Sequence, residues 1–395
     1  MYRVISFLFS ILLYTNLISA SENEYIQLSE GAQISLLTCG PGDELYSIYG
    51  HTALRVKDDS LKIDVTFNYG TFDFNTDFFY LKFMNGNLDY LLSVSYASNF
   101  IRNYKEENRF VVERPIKLTA EQRIKLWNKL CINMEPINRA YRYDFFFDNC
   151  ATRIRDLLFD VTATDAKPFF EKECGYTFRE LLHEKNPYNS WSSQGIDLLL
   201  GATCDNMASE YQAAFLPEHL DNLVSSASIG NSDALPIVVS NNSTDSLHDN
   251  SFTPNVIFSI LLLFTFFSTL FIRNIQCLRI IDIFLFSVTI LLSLLFHYLW
   301  FCTLHEVCSW NWNVLWASPL YIFLLRDVFR KKFTKFTRFY IYAIDASLVL
   351  FIMLSVFGVE FFSNIAYLSA ASLAIRVNHI LYIFLRQNKL PFKEK

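Results

Sequence analysis

Glycine is scarce in this chain, and acidic residues almost disappear from its last third. Only 11 glycines and 10 prolines occur among 395 residues, whereas 52% of the residues are hydrophobic. Disordered and collagen-like chains have the opposite composition, because they contain too little apolar material to build a core. Charged residues make up only 18% of the chain. The composition therefore predicts a folded protein with a strongly apolar part.

The charges are divided unevenly along the chain. Residues 21–255 contain 20 Lys and Arg against 33 acidic residues, whereas residues 256–395 contain 13 against 6. An acidic half followed by an apolar, basic half is typical of a membrane protein with a water-soluble domain. Because the soluble half is acidic, no nucleic-acid partner is expected.

Residues 1–20 are predicted to be a secretory signal peptide. Arg3 gives a basic start, Val4–Leu13 is apolar, and Ile18, Ser19 and Ala20 precede a polar stretch. The alternative is an uncleaved N-terminal anchor, although this apolar run is shorter than the roughly 20 residues that a spanning helix needs. Either interpretation places the following domain outside the cytoplasm.

Five apolar segments in the second half are candidate membrane helices: 256–272, 280–300, 312–325, 339–357 and 365–385. The segments between the first and second, between the third and fourth, and after the fifth contain Lys and Arg. The loops 301–311 and 358–364 contain neither. The positive-inside rule therefore places the basic segments in the cytoplasm and the soluble domain outside. This predicts a multi-pass membrane protein with a short cytoplasmic tail and an N-terminal domain outside the cytoplasm.

Arg376 is the one positive charge within a predicted span. A charged residue inside a membrane helix is a functional-site candidate by default. The alternative is a structural Arg with a partner inside the bundle.

Residues 21–225 are predicted to form an α+β domain. Residues 25–115 resemble strands, and the alternating stretches 51–56 and 63–69 flank a turn at 57–60, which predicts a hairpin. Residues 119–131, 145–162 and 176–185 are helical in pattern. Residues 226–255 are rich in Ser, Asn and Asp, and are expected to be an irregular return segment and linker.

Cys150 is the first candidate for chemistry. Asp148 or Asn149 is a good helix N-cap, and an apolar stripe follows, so Cys150 falls in the first helical turn. The positive end of a helix stabilises a thiolate, and its free N–H groups can hold a developing oxyanion. The alternative is a structural buried Cys or half of a disulfide.

His51 is the expected general base, because it begins a strand after Gly50 and can project at the sheet rim. A third group must fix its tautomer. The predicted hairpin puts Asn68 within a residue or two of the position opposite His51, so Asn68 is the first choice for orienter, with Tyr69 and Asp73 as alternatives. The competing interpretation is a structural His51 and an exposed strand Asn68.

Five of the eight cysteines lie in the soluble domain, so at least one is expected to be a free thiol. Pairs such as Cys302 with Cys308, or Cys174 with Cys204, are possible disulfides. Cys and His residues do not cluster with metal-ligand spacing, and neither a metal nor a cofactor is expected.

Five separate strings, in this order, resemble the Lnb family of bacterial lipoprotein N-acyltransferases: Gly50–Val56, Phe67–Phe74, Tyr143–Asp156, Ile196–Gly201 and Phe215–Pro217. The resemblance covers nearly the whole chain. It implies that Cys150 is the nucleophile and His51 the base.

The order of an early strand His and a later Asn-Cys also resembles circularly permuted papain-like enzymes such as lecithin:retinol acyltransferase. Those enzymes carry a second His soon after the first, and this chain has none before His183. Together the resemblances imply a permuted papain-like domain followed by an all-α bundle of five transmembrane helices. They imply transfer of a phospholipid acyl chain, through a Cys150 thioester, to the α-amino group of a diacylglyceryl-modified lipoprotein.

Two other functions are compatible with the same residues. One is a papain-like amidase or peptidase that acts on cell-wall peptides and releases its acyl group to water. The other is a non-catalytic exported sensor or scaffold in which Cys150 is structural.

Overall fold

The computed structural model describes residues 25–162, 170–239 and 252–389. The first two ranges form a mixed α/β domain, here called the head (residues 25–239), and the third forms a helical bundle (residues 252–389). The predicted signal peptide lies outside the described residues.

The head is built on an antiparallel seven-stranded sheet in the order β6-β4-β3-β2-β1-β5-β9, and β7 and β8 form a separate pair. The strands are β1 (Gln33–Cys39), β2 (His51–Asp58), β3 (Ile63–Thr71), β4 (Asp89–Tyr96), β5 (Val111–Pro115), β6 (Ala140–Arg142), β7 (Glu173–Thr177), β8 (Met207–Ser209) and β9 (Leu235–Val238). Val56 pairs with Val65 across β2 and β3, which confirms the predicted hairpin.

Among the described residues of the head, eight α-helices complete the domain: α1 (Phe79–Met84), α2 (Ala97–Glu106), α3 (Ala120–Met134), α4 (Cys150–Thr162), α5 (Phe178–His183), α6 (Trp191–Leu199), α7 (Glu210–Ala213) and α8 (Pro217–Ser226). Helices α3 and α4 cover one face of the sheet. Leu126 and Ile154 from these helices are fully buried in one core with Leu36 and Phe67 of the strands. Burial of such side chains contributes about 1.5–3 kcal/mol each, so this core fixes α4 on the sheet.

The expected linker is not wholly irregular. Within it, Leu235–Val238 forms β9 and pairs with the edge strand β5, where Val111 lies opposite Val238. The pairing covers the free edge of β5 and extends the sheet beyond residue 225.

The bundle contains α9 (Pro254–Phe271), α10 (Ile275–Cys302), α11 (Tyr321–Arg330), α12 (Lys335–Val356) and α13 (Asn364–Lys389). Among the described residues, four helices are long and apolar enough to cross a membrane, namely α9, α10, α12 and α13. The segment predicted at 312–325 differs, because it forms one short helical turn at Trp312–Val314 and then α11. Pro319 has no N–H to donate, so a single helix cannot continue through it.

Arg376 is a structural partner inside the bundle. Its guanidinium is fully buried and donates to Asp282 on α10 at 2.7 and 3.1 Å and to the Thr269 hydroxyl at 2.7 Å. This ion pair agrees with the second interpretation, in which Arg376 is a structural residue of the bundle.

The head rests on the two bundle loops that contain no Lys or Arg. Gly201 N–H donates to Val307 O at 2.9 Å, and Phe361 N–H donates to Asp205 at 3.0 Å. Gly201 must be glycine, because a Cβ there would lie 1.8 Å from the carbonyl oxygen of Ser309. Both loops are therefore on the side of the head, as the charge distribution predicts.

Candidate active site

Cys150 is the first residue of α4, and Asn149 caps that helix. The Asn149 side-chain oxygen accepts from the N–H groups of Ala151 and Thr152 at 2.8 and 2.9 Å. Its side-chain nitrogen donates to the carbonyls of Phe145 and Phe215, at 2.8 and 2.9 Å. The cap thus ties the helix start to two loops and fixes the position of Cys150.

His51 is the first residue of β2 and lies between Cys150 and Asn68. Its side chain is hydrogen-bonded to Cys150, and its Nε2 is 2.5 Å from the side-chain oxygen of Asn68. An amide oxygen only accepts, so Nε2 carries the proton when His51 is neutral. Nδ1 is then the basic nitrogen, which is the orienting effect that a Cys–His pair requires.

The surroundings favour a thiolate–imidazolium pair. Burial raises the pKa of Cys150, but the charge and hydrogen bond of His51 and the N–H groups of Thr52 and Ala151 outweigh it and lower this pKa overall. Burial lowers the pKa of His51, but Cys150 and the bond to Asn68 raise it overall. A thiolate is the nucleophilic form of Cys, so this geometry activates Cys150.

The two alternative orienters have other partners. The Tyr69 hydroxyl accepts from the Asn133 side chain at 2.8 Å, in the core of the head. Asp73 is exposed, and its carboxylate accepts from the backbone N–H and the side-chain nitrogen of Asn75, at 2.8 and 3.0 Å. The structure brings Asn68, rather than either alternative, to His51.

Gly70 forms the surface beside this pair. Its φ of +90° is in the region that favours glycine. A Cβ at this position would lie 3.5 Å from Cys150 Cβ, 3.8 Å from the Tyr141 hydroxyl and 3.9 Å from His51 Cε1. Glycine therefore leaves an open space against both reacting side chains.

The charged residues around Cys150 brace the helix start. Arg153 binds Asp148 at 2.6 Å, and its guanidinium lies 3.6 Å from the centre of the Tyr141 ring. Asp144 accepts from the N–H groups of Phe146 and Phe147 and closes the preceding turn. These contacts hold the 143–150 turn in place.

Three other buried thiols are poorly suited to chemistry. All eight cysteines are free in the structure, so neither of the possible disulfides is formed. Burial raises the pKa of Cys39, Cys204 and Cys308 to about 12. Across the described ranges, no group of three or more His, Cys, Asp or Glu residues could hold a metal ion.

Sequence reasoning missed the aromatic residues that lead to the site. Phe72 contacts Tyr90 with ring centres 5.3 Å apart, and Tyr90 stacks on Tyr143 at 4.2 Å. The density of Phe and Tyr between residues 72 and 83 is the signal that could have indicated this cluster.

Fold and site together define a membrane-anchored α/β protein with a Cys–His pair on the outer side. Residues 24–192 match the Lnb N-terminal periplasmic domain, and residues 246–388 match the Lnb transmembrane domain. The chain belongs to the Lnb family. It is a multi-pass inner-membrane protein of lipoprotein biogenesis with a periplasmic N-terminal domain, and the family indicates an enzyme of lipoprotein N-acylation. No curated protein and no solved structure matches the chain.

Proposed function

We propose that this protein is a lipoprotein N-acyltransferase in which Cys150 is the nucleophile, His51 the general base and Asn68 the orienter. The observation that carries the proposal is His51 in hydrogen-bond contact with both Cys150 and Asn68 at the N-terminus of α4. This order of nucleophile, base and orienter is the arrangement that activates a thiol for acyl transfer.

In the first half-reaction, the Cys150 thiolate attacks an ester carbonyl of a membrane phospholipid. The new C–S bond forms as the C–O bond breaks, and the His51 imidazolium gives its proton to the leaving alkoxide. A lysophospholipid departs and a Cys150 thioester remains. The N–H groups of Thr52 and Ala151 lie next to the sulfur and are positioned to stabilise charge during this step.

In the second half-reaction, the α-amino group of a diacylglyceryl-modified cysteine attacks the thioester. The C–N bond forms and the C–S bond breaks, His51 accepts the amine proton, and the thiolate returns. A thioester suits an amine acceptor because it reacts faster with amines than with water. The bundle supports this assignment, because donor and acceptor are both held in the membrane.

The same proposal includes the finer architecture. The head is a circularly permuted papain-like domain whose predicted range of 21–225 extends through β9, the rest of residues 226–255 connects it to the membrane, and residues 1–20 are a cleaved signal peptide. The third apolar segment completes a bundle of five membrane helices. Support comes from the early strand His, the later Asn-Cys at a helix start, and the family match of both halves.

The test compares Cys150→Ser with Cys174→Ser, since Cys174 is another free thiol of the head. Full-length protein is placed in phospholipid vesicles with a diacylated lipopeptide, and N-acylation is measured by mass spectrometry. Wild type and Cys174→Ser should form a triacylated product, and Cys150→Ser should form none. Without acceptor, a hydroxylamine-sensitive acyl group should accumulate on Cys150.

Two outcomes would overturn the proposal. N-acylation by Cys150→Ser at the wild-type rate would make Cys150 structural, as expected of a sensor or scaffold. Release of free fatty acid without transfer to the lipopeptide would indicate a hydrolase, as expected of a cell-wall amidase or peptidase.

A further inference from the structure

The head carries an exposed cluster of aromatic and aliphatic side chains close to the membrane domain. This cluster, here called the aromatic segment, is residues 72–84 and includes α1. Six of its large apolar side chains are exposed: Phe74, Phe78, Tyr80, Leu81, Phe83 and Met84. Exposed apolar patches of this kind mark surfaces that bind other molecules or membranes.

The bundle holds the aromatic segment at the outer end of α10. Asn85 O accepts from Leu304 N–H at 3.0 Å, and His305 Nε2 donates to Phe83 O at 3.0 Å. The Tyr298 hydroxyl donates to the Asn85 side chain. These contacts place the segment at the level where α10 leaves the membrane.

Tryptophans mark the same level. Trp300 lies 5.7 Å from Trp310 and 5.8 Å from Trp312, measured between ring centres. Trp is enriched where membrane helices meet the headgroups, so the aromatic segment is adjacent to the outer leaflet.

An apolar groove connects the aromatic segment to the lipid-facing side of α10. The groove is shallow and open, with a volume of about 600 Å³, and it is lined by Met84 together with Leu294, Leu295, His297, Tyr298, Phe301 and Cys302. Helix α10 is a membrane span, and its exposed surface beside the groove faces lipid. The groove is therefore continuous with the acyl-chain region of the bilayer.

The backbone at Phe78 is strained where its side chain is most exposed. Phe78 has a φ of +57° and is 76% exposed. A bulky residue rarely adopts this conformation, so the backbone is strained there. Exposure of this ring to water is unfavourable. An acyl chain that covers the Phe78 side chain would remove that exposure.

A row of aromatic rings leads from the segment to the nucleophile. Phe79 is 5.7 Å from Phe72, Phe72 is 5.3 Å from Tyr90, and Tyr90 is 4.2 Å from Tyr143. Tyr90 pairs with Tyr141 across β4 and β6, and a Cβ at Gly70 would contact both the Tyr141 hydroxyl, at 3.8 Å, and Cys150 Cβ, at 3.5 Å. The row therefore ends beside Cys150.

We propose that the aromatic segment seats in the outer leaflet and binds an acyl chain of the phospholipid donor, so that the ester of that chain reaches Cys150 along the ring row. The inference rests on the proposed acyltransferase function and assigns its donor-binding surface. Each methylene that leaves the bilayer for this apolar surface avoids the unfavourable contact with water.

The test is a triple variant, Phe78→Ser with Tyr80→Ser and Phe83→Ser, which removes side chains that are 76%, 80% and 53% exposed. The matched control replaces three side chains of similar exposure, 68%, 86% and 50%, elsewhere on the head: Tyr96→Ser, Ile137→Ser and Tyr176→Ser. Tyr96 lies at the far end of the β3–β4 pair from Thr71.

Thioester formation is measured with two donors. One is a bilayer vesicle of long-chain phosphatidylethanolamine and phosphatidylglycerol, and the other is water-soluble dihexanoyl phosphatidylethanolamine. The rate of thioester formation by the triple variant should fall about tenfold or more with vesicles. It should fall much less with the soluble donor, because that donor need not be extracted from a bilayer. The control should match wild type with both. Equal loss with both donors, or wild-type rates with vesicles, would refute the inference.

A second measurement is independent of catalysis. A photoreactive benzophenone amino acid at position 83 should crosslink to a vesicle phospholipid, and the same residue at position 96 should not. This readout is made in Cys150→Ser as well as in the unsubstituted background. Absence of a lipid adduct at 83 refutes the docking surface, whereas acylation that survives Cys150→Ser refutes the function on which it rests.

Discussion

Replacing Asn68 with Ala tests whether His51 is held by its neighbour or only lies near it. In the structure the Asn68 side-chain oxygen is 2.5 Å from His51 Nε2, and this bond contributes to the raised pKa of His51. The substitution removes the acceptor, so the imidazole can rotate and Nε2 loses its partner. Cys150 and the helix that carries it are unchanged.

The expected loss follows from the strength of one hydrogen bond to a charged group. Such a bond contributes about 1.5–3 kcal/mol, which corresponds to roughly tenfold to 150-fold in the rate of Cys150 acylation. The pH profile should change as well. The active pair needs a protonated His51, and removal of Asn68 lowers the His51 pKa, so the alkaline limb should move to lower pH.

The assay is single-turnover thioester formation followed across pH. Asn68→Asp is the informative companion, because a carboxylate raises the His51 pKa and should move the alkaline limb to higher pH. Asn133→Ala is the matched control, because the Asn133 side chain donates to the Tyr69 hydroxyl rather than to His51. A wild-type rate for Asn68→Ala, with an unmoved alkaline limb, would refute the orienting role.

Three further perturbations follow from the structure. Cys150 should react with iodoacetamide at a pH below the usual range for a thiol, and His51→Ala should move the midpoint upward, as read by peptide mass spectrometry; an unmoved midpoint would exclude the ion pair. Gly70→Ala should cost about 1–2 kcal/mol in head stability, since its φ is +90°, and should slow acylation, because the new Cβ lies 3.5 Å from Cys150 Cβ. Arg376→Met should destabilise the bundle by about 3–5 kcal/mol in thermal unfolding, because Asp282 is left as a buried charge. Adding Asp282→Leu should restore most of that loss, and a double variant no more stable than the single one would contradict this account.

Local features of the fold were predictable from the sequence. The hairpin followed from two alternating stretches around a turn, and that hairpin brought Asn68 to His51. The start of α4 followed from Asn149 and the apolar stripe after it. Each prediction depends on residues close in the chain, where spacing alone carries the information.

Long-range features were not predictable. The contact between His51 and Cys150 joins residues far apart in sequence, and only the packing of α4 on β2 produces it. Strand β9 is short and pairs with β5 more than 100 residues earlier, so no local pattern indicated it. The division of the third apolar segment into a short turn and α11 was not indicated either, because hydropathy ignores the missing N–H of Pro319.

The pairing of Arg376 with Asp282 also has a consequence for how the bundle is made. Asp282 enters the membrane with α10, and its partner follows 94 positions later with α13. A lone acidic residue in a membrane helix costs about 2.5–3.5 kcal/mol on the insertion scale. The last helix therefore supplies the positive partner of an acidic residue on an earlier helix. A chain that ends before residue 376 leaves the Asp282 carboxylate unpaired in the membrane, and its bundle is less stable.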